Sequence, residues 1–329
     1  MSLKSDETYI YNLAIANVEA TNKRLYGLYK ESLRKAEGDL IAFRLKLLRG
    51  GVVKSFTEER LMKLISELKK EIATLNIKST AIIRSGYTQN YMTTYYMQGY
   101  AWEKSINNDL VFKNDYFLSL PALDKKVINA SFDKRIGGHV FKDRSLRVQR
   151  AMQYSIQDAV AQNIIEGQSV KKLSKNLSQL NDVYDKGLKQ TERIARTELL
   201  KAYSIGQDTA RVEAEDAGVE FEFIWSSRLD QKLRPDHAIA DRQIALIVDG
   251  EPVFNVGGVQ MSSPRLPVVE TGSKQEAAQV INCRCRRLNL PSGIAPDTRL
   301  AKKKSGEWET INADIKAVDY IKREYNITI

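Results

Sequence analysis

Three groups of residues, all beyond residue 190, have the types and spacing to do chemistry. The first is Arg193-Ile194-Ala195-Arg196-Thr197-Glu198, followed by Ala202 and Gly206 on a helical pattern. Arg196 and Glu198 stand two apart and so point to different sides of a helix, which excludes a direct local ion pair. Each either reaches its own neighbour or belongs to a solvated face. The second runs Trp225-Ser226-Ser227-Arg228-Leu229-Asp230, then Arg234-Pro235-Asp236-His237 and Asp241. A strand that leads into a loop carrying Asp, Arg, His and Asp has the makeup of a site, because loops on a rigid scaffold hold such groups in convergence. His237 and His139 are the two histidines, and a lone His also serves commonly as a structural hydrogen-bonding group. The third is Asn282-Cys283-Arg284-Cys285-Arg286-Arg287.

Strand alternation would put Cys283, Cys285 and Arg287 on one face and Arg284 and Arg286 on the other. Two thiols so placed stand roughly 6.6 Å apart at Cα, the far edge of disulfide reach. With 2 cysteines in the chain no disulfide framework exists, which leaves thiolates on a metal or two small buried side chains. Zinc takes four ligands from Cys, His and carboxylate. Cys283, Cys285 and His237 with Asp230 or Asp236 make such a set, and the expectation adopted is structural zinc on Asp230, His237, Cys283 and Cys285. The spacing is not that of a zinc finger. Neither a phosphate-binding loop, a dinucleotide-binding Gly-x-Gly-x-x-Gly nor a His-Glu-x-x-His is present. Nucleotide-driven motors, dehydrogenases and zincin proteases therefore lack support.

Long helices must position these groups. Residues 8 to 36 carry Ile10, Leu13, Ala14, Val18, Leu25, Leu28 and Leu33 at helical spacing, with Gly38 as terminator. Ser55 and Glu58 form a capping-box pattern ahead of Leu61, Leu64, Ile65, Leu68, Ile72 and Leu75. Tyr87, Tyr91 and Tyr95, with Tyr96, Tyr100 and Trp102 behind, read as a packing stripe rather than a base-stacking ladder, because Arg84 is the one cation before Lys104. Helical patterns continue over 120 to 135, 144 to 166, 169 to 180 and 187 to 217, with Gly167 and Gly218 as terminators. At Gly218 the character changes. Val219 to Trp225 alternates like a half-buried strand, strand-like pieces recur at Ile244 to Val248 and Val280 to Leu290, 295 to 304 reads as a basic linker, and 310 to 325 as a last helix. The reading is an α+β protein: a helical region 1–190, a small α+β domain 191–291, and a linker with a C-terminal helix 292–329.

Hydrophobic residues at 43% and charged residues at 28% are globular values and exclude a disordered chain. No window approaches eighteen apolar residues, and Asn12, Asn17 and Glu19 interrupt any signal-peptide segment, so synthesis in a cytoplasm without a membrane anchor is expected. The formal charge of +10 points toward polyanions. Much of it lies in Arg284, Arg286, Arg287, Arg299, Lys302, Lys303 and Lys304 against Asp297, a set suited to non-specific contact with duplex DNA. The competing reading is a solvated run, with Arg284 or Arg286 paired to carboxylates inside the domain.

Taken in order, the three groups resemble the head morphogenesis (minor head) proteins of tailed bacteriophages, the Mu F-like family. Its members show a helix with Arg-Thr-Glu, a Trp-containing strand, a loop Asp-x-x-x-Arg-x-x-His with an Asp-Gly-Gln-like turn, and a closing Asn-Cys-Arg-Cys. Those positions are Arg196, Thr197 and Glu198, then Trp225, Asp230, Arg234, His237 and Asp241, then Asn282 to Cys285. The match covers about residues 190 to 290. Two departures stand out: Arg242 replaces the Gly of the turn, and Val280 stands where many relatives carry a His. The resemblance implies a non-catalytic virion protein, carried inside the capsid near the portal and acting in assembly or in the fate of injected DNA. Portal and other head proteins would be its partners, docked on the helical region. The competing reading is a metal-dependent enzyme on nucleic acid, with Asp230, His237 and the Cys pair holding a water-activating ion.

Overall fold

The computed structural model describes residues 3–49, 54–108, 118, 120–165, 170–291, 298–312 and 314–327. In chain order the helices are α1 (Leu3–Arg49), α2 (Lys54–Asn108), α3 (Lys125–Phe132), α4 (Phe141–Ile165), α5 (Val170–Asp216), α6 (Pro235–Ile239), α7 (Lys274–Val280) and α8 (Ala317–Tyr325). The strands are β1 (Phe221–Ser226), β2 (Leu246–Val248), β3 (Glu251–Val256), β4 (Val259–Ser263), β5 (Leu266–Pro267), β6 (Arg286–Pro291), β7 (Thr298–Lys302) and β8 (Trp308–Asn312). The architecture is α+β, with long helices first and small sheets after. No described helix is long and apolar enough to cross a membrane.

Packing divides the chain into two compact units. One comprises residues 19–85 and 141–195, the other residues 1–18, 86–140 and 196–329. The described residues of the first are all helical. Leu25, Tyr29, Ala36 and Leu40 of α1 recur every four or so residues, as do Leu64, Leu68, Ile72 and Leu75 of α2, and both stripes are buried. Val148, Met152 and Ile156 of α4 and Leu180, Tyr184 and Leu188 of α5 add to this interior. Polar ties also join its helices: the Tyr29 and Thr191 hydroxyls meet at 2.7 Å, Ser32 meets Tyr184 at 3.3 Å, and Lys69 donates to Gln157 at 2.6 Å.

In the second unit β1 pairs antiparallel with β6, from Phe221 opposite Pro291 to Ser226 opposite Arg286. The other edge of β1 takes the 242–245 segment, where the Trp225 N–H donates to Gln243 O (2.9 Å) and the Arg242 N–H to Trp225 O (2.7 Å). Trp225, flanked on both edges, is fully buried. Strands β2, β3, β4 and β5 form a second sheet in that order, and β7 with β8 a hairpin. Phe223, Trp225, Phe254, Val256, Met261, Val280, Cys283 and Cys285 share one core. Leu229, Ala238, Ala301, Ile311, Tyr320 and Ile321 share another, which seats α8 on the hairpin.

Several sequence expectations change. Gly38 does not end a helix: α1 continues to Arg49, because Ala36 and Leu40 on either side are fully buried and a helical Gly costs only about 1 kcal/mol. The stretches at 55–75 and 79–104 are one helix, α2, and those at 169–180 and 187–217 are one helix, α5. The expected basic linker is a β-hairpin over its described part, since Ala301 and Ile311 turn inward from its two strands. Val280 closes α7 instead of opening a strand. The side chains of Ser55, Glu58 and Arg299, and Gly167 altogether, lie outside the described residues. The tyrosine stripe does pack: Tyr87, Tyr91, Tyr95 and Trp102 are buried, while Tyr96 and Tyr100 are exposed.

Candidate functional site

A cluster of two thiols and one imidazole forms where β1, α6, α7 and the start of β6 meet. Pro235 pre-sets the first turn of α6, a helix of 5 residues that carries His237 inward under Trp225. The Trp225 and His237 rings meet edge-on at 5.8 Å. His237 Nδ1 lies 3.2 Å from Cys285 Sγ and 3.6 Å from Cys283 Sγ. All three side chains are buried, and their ligand atoms fall within 4.8 Å of one another.

The far side of the imidazole fixes its proton. Gln279 Nε2 donates to Asp236 Oδ2 at 2.7 Å, and a carboxylate only accepts, so the Gln279 oxygen is the atom turned toward His237. That oxygen lies 2.9 Å from His237 Nε2, nearer than the Arg234 Nη1 at 3.4 Å, so Nε2 donates to it. Nδ1 is left with its lone pair aimed at the two sulfurs. Burial pushes the Cys283 thiol up, but the hydrogen bond from Cys285 and the charge of Arg265 help to hold it well below the usual thiol range. Burial and the neighbouring Cys283 sulfur push Cys285 well above it.

The other motif residues hold this cluster in place. Asn282 sits in the left-handed region (φ 59°), which Asn tolerates better than other side chains. Its N–H donates to Thr197 Oγ1 (3.0 Å) and its Oδ1 accepts from Arg196 Nη1 (3.1 Å), pinning the cysteine loop to α5. Arg196 and Glu198 do serve different neighbours: Glu198 pairs with Lys201 at 2.9 Å, both buried, and Lys201 also donates to the carbonyls of Phe132 and Lys134. Arg234 spends its guanidinium on the carbonyls of Ala278, Gln279 and Ile281 at the end of α7, where a cation meets the negative pole of the helix. Asp241 accepts from the Ser227 N–H (2.8 Å) and from the Ala317 N–H at the start of α8 (3.1 Å).

Asp230 is not brought to the sulfurs. Its carboxylate grips both terminal nitrogens of Arg284, one of them at 2.7 Å, and accepts from the Lys232 N–H. Three arginines expected on DNA likewise turn inward. Besides Arg284, Arg286 donates to Glu7 O and Thr8 Oγ1 and lies over the Tyr11 ring, and Arg287 is buried on Asp208, Asn289 and Ser262 O. Arg287 is fully buried and a buried guanidinium must be paired, while Arg284 and Arg286 are half-buried with their guanidinium groups engaged by protein partners. Lys302, Lys303 and Lys304 stay at the surface on the β7–β8 hairpin; Lys302 lies over Trp308 and Lys303 is 3.7 Å from Glu309.

Arg265, Gln279 and Glu276 escaped sequence reasoning. Arg265, buried at φ 76°, donates to the carbonyls of Cys283 (3.1 Å) and Cys285 (2.9 Å) and to Ser204 Oγ (2.7 Å). Nothing in its neighbourhood announces this. Glu276 did leave a signal: Ser273-Lys274-Gln275-Glu276 is a capping box, with Ser273 Oγ on the Glu276 N–H and the carboxylate on the N–H groups of Thr271 and Gly272. That box starts α7, and α7 delivers Gln279.

The family model of Phage Mu protein F like proteins matches residues 154–288, so this stretch of the chain is similar to that family and the resemblance carried by the motif is borne out. The matched stretch holds every motif residue from Arg196 to Cys285. Among curated proteins, the NAD(+)--arginine ADP-ribosyltransferase EFV of Enterococcus faecalis (strain ATCC 700802 / V583) is 22% identical over 284 residues, 86% of this chain and 54% of the relative. The chain thus spans about half the length of that relative. No solved structure matches.

Proposed function

We propose that the chain is a minor head protein of a tailed phage, held inside the capsid near the portal and acting by binding rather than by catalysis, in assembly or in the fate of the injected DNA. The observation that carries this reading is the use made of the motif. Arg196, Asn282, Arg234, Asp241 and Asp230 are each spent on holding one segment of the fold to another, as parts of a scaffold are. Portal and other head proteins are the expected partners, met through the helical region 1–190 after synthesis in the host cytoplasm. Residues 196–329 share a unit with 1–18 and 86–140, so the test keeps all of these. Charged substitutions at the exposed Met62 and Tyr154 of the all-helical unit should lower incorporation into heads in a phage complementation assay. Normal packaging of a set of such variants covering the exposed faces of that unit sinks the docking assignment.

Duplex DNA is the second expected partner, through Lys302, Lys303 and Lys304. With three phosphates neutralised, the salt slope on duplex DNA should be about −2.7. Reversing all three lysines to Glu should abolish it, and binding unchanged by that reversal removes DNA from the proposal. The name of the enterococcal relative supplies the direct control on catalysis. The full chain incubated with NAD and an arginine substrate should release no nicotinamide; turnover there overturns the non-enzymatic reading.

A further inference from the structure

Three soft or borderline donors converge beside β1, and their spacing is that of ligands around one ion. Zinc bonds of about 2.3 Å to sulfur and 2.0 Å to nitrogen at tetrahedral angles put nitrogen and sulfur ligands about 3.5 Å apart. His237 Nδ1 stands 3.2 and 3.6 Å from the two sulfurs. The imidazole presents a lone pair, since its other nitrogen donates to Gln279, which is itself oriented by Asp236. A carboxylate-oriented chain of this kind behind a ligating His is the usual outer support of a zinc site. The Arg265 guanidinium holds both cysteine carbonyls and so sets the loop that aims the sulfurs. Charge also balances, because two thiolates and a neutral imidazole cancel a divalent cation and the ion can lie in a dry interior without net charge.

We propose that His237 Nδ1, Cys283 Sγ and Cys285 Sγ form a structural zinc site that ties α6 to the loop ahead of β6. Asp230 is not a ligand; it serves Arg284. The fourth position falls to a weak oxygen donor. Ser227 Oγ is placed for it, 3.7 Å from Cys285 Sγ with its proton already given to His237 O. The proposal stands on geometry alone and does not depend on the head-protein reading.

The chain has 2 cysteines, so any thiolate signal reports this cluster without a variant. Full-length protein purified without a histidine tag should carry about one equivalent of zinc by elemental analysis. Replacement by cobalt should give the thiolate-to-cobalt charge-transfer absorption of two sulfur ligands. A thiol reagent should reach both cysteines only after a chelator is added. Gln279→Met should lower zinc affinity about tenfold in chelator competition with the fold retained by circular dichroism, whereas Asp230→Asn should leave stoichiometry and the cobalt spectrum unchanged. Less than about a tenth of an equivalent of zinc, with no cobalt–thiolate band in the metal-loaded chain, overturns the proposal. So does a metal equivalent that stays bound while both thiols react freely.

Discussion

The all-helical unit is filled by Leu25, Leu40, Leu68, Ile72, Met152 and Leu180, whereas the largest fully buried side chains of the sheet-bearing unit include Arg211, Arg265 and Arg287 beside Trp102 and Trp225. The first interior needs mainly apolar volume at helical spacing, with a few neutral hydroxyl pairs, and many sequences supply that. The second needs each guanidinium to find its acceptors: Arg287 on Asp208, Arg265 on two cysteine carbonyls, and Arg211 on Asp208, Glu215 and Glu251. One interior is set by pattern and the other by partners.

Conservative substitutions should separate the two most sharply. Arg287→Ala leaves Asp208 with Arg211 alone and should cost about 3 to 4 kcal/mol in denaturant unfolding, and Arg287→Lys should recover little because an ammonium lacks the fork. Leu68→Ala should cost about 3 kcal/mol, yet Leu68→Met under about 1.5 kcal/mol, since volume is nearly kept. Equal tolerance of the two conservative changes would erase the distinction.

A pH titration comes next in size. Burial pushes the Glu7 carboxyl up to about 7, although the Arg286 charge and the Gln98 hydrogen bond oppose it. The folded chain then holds this proton more tightly than the unfolded chain does. Glu7 costs nothing below about pH 4.5, and its cost grows to about 2 to 3 kcal/mol as pH rises toward 7. Glu7→Gln should therefore stabilise the protein by about 2 kcal/mol at neutral pH and flatten this part of the stability profile. A variant whose profile keeps the wild-type slope between those pH values removes Glu7 as the cause.

The smallest effect tests the turn where this chain departs from the Mu F-like motif it resembles. Arg242 adopts φ 65°, a conformation that glycine takes without strain, and in return holds an exposed ion pair with Asp314 at 3.0 Å. Relief of about 1 kcal/mol of backbone strain outweighs a surface pair worth a few tenths, so Arg242→Gly should raise stability by under about 1 kcal/mol. A loss of stability would show that the Asp314 pair matters more than its exposure suggests.

The same contrast explains what could be read from the chain. Stripes such as Leu64, Leu68, Ile72 and Leu75 declare a helix because their spacing is the structure. They do not declare where it stops, which is why Gly38 misled: packing of Ala36 and Leu40 carried α1 through it. Strand β1 was legible from its alternation, but β3 to β5 were not, being short and built around turns at Asp249-Gly250 and Gly257-Gly258. The site was legible as a list of members, with His237, Cys283 and Cys285 in it. Roles were less so. Asp230 and the three inward arginines carry charges that look alike in a sequence whether they face water, metal, phosphate or each other, and burial alone decides among these.

The ties at the start of α1 have a bearing on how the molecule assembles in time. Tyr11 donates to Arg284 O and Arg286 donates to Glu7 O, contacts that span 273 and 279 residues of chain. Closing loops of that length carries a large entropic cost before any contact rewards it, and topologies rich in such pairs are slow to fold. At ribosomal rates of about 5–20 residues per second, Glu7 emerges roughly a quarter of a minute to a minute before Arg286. Through that interval Ile10, Tyr11 and Ala14 at the start of the nascent α1 have no final seat in the sheet-bearing unit, and this apolar face becomes a natural surface for chaperones to hold.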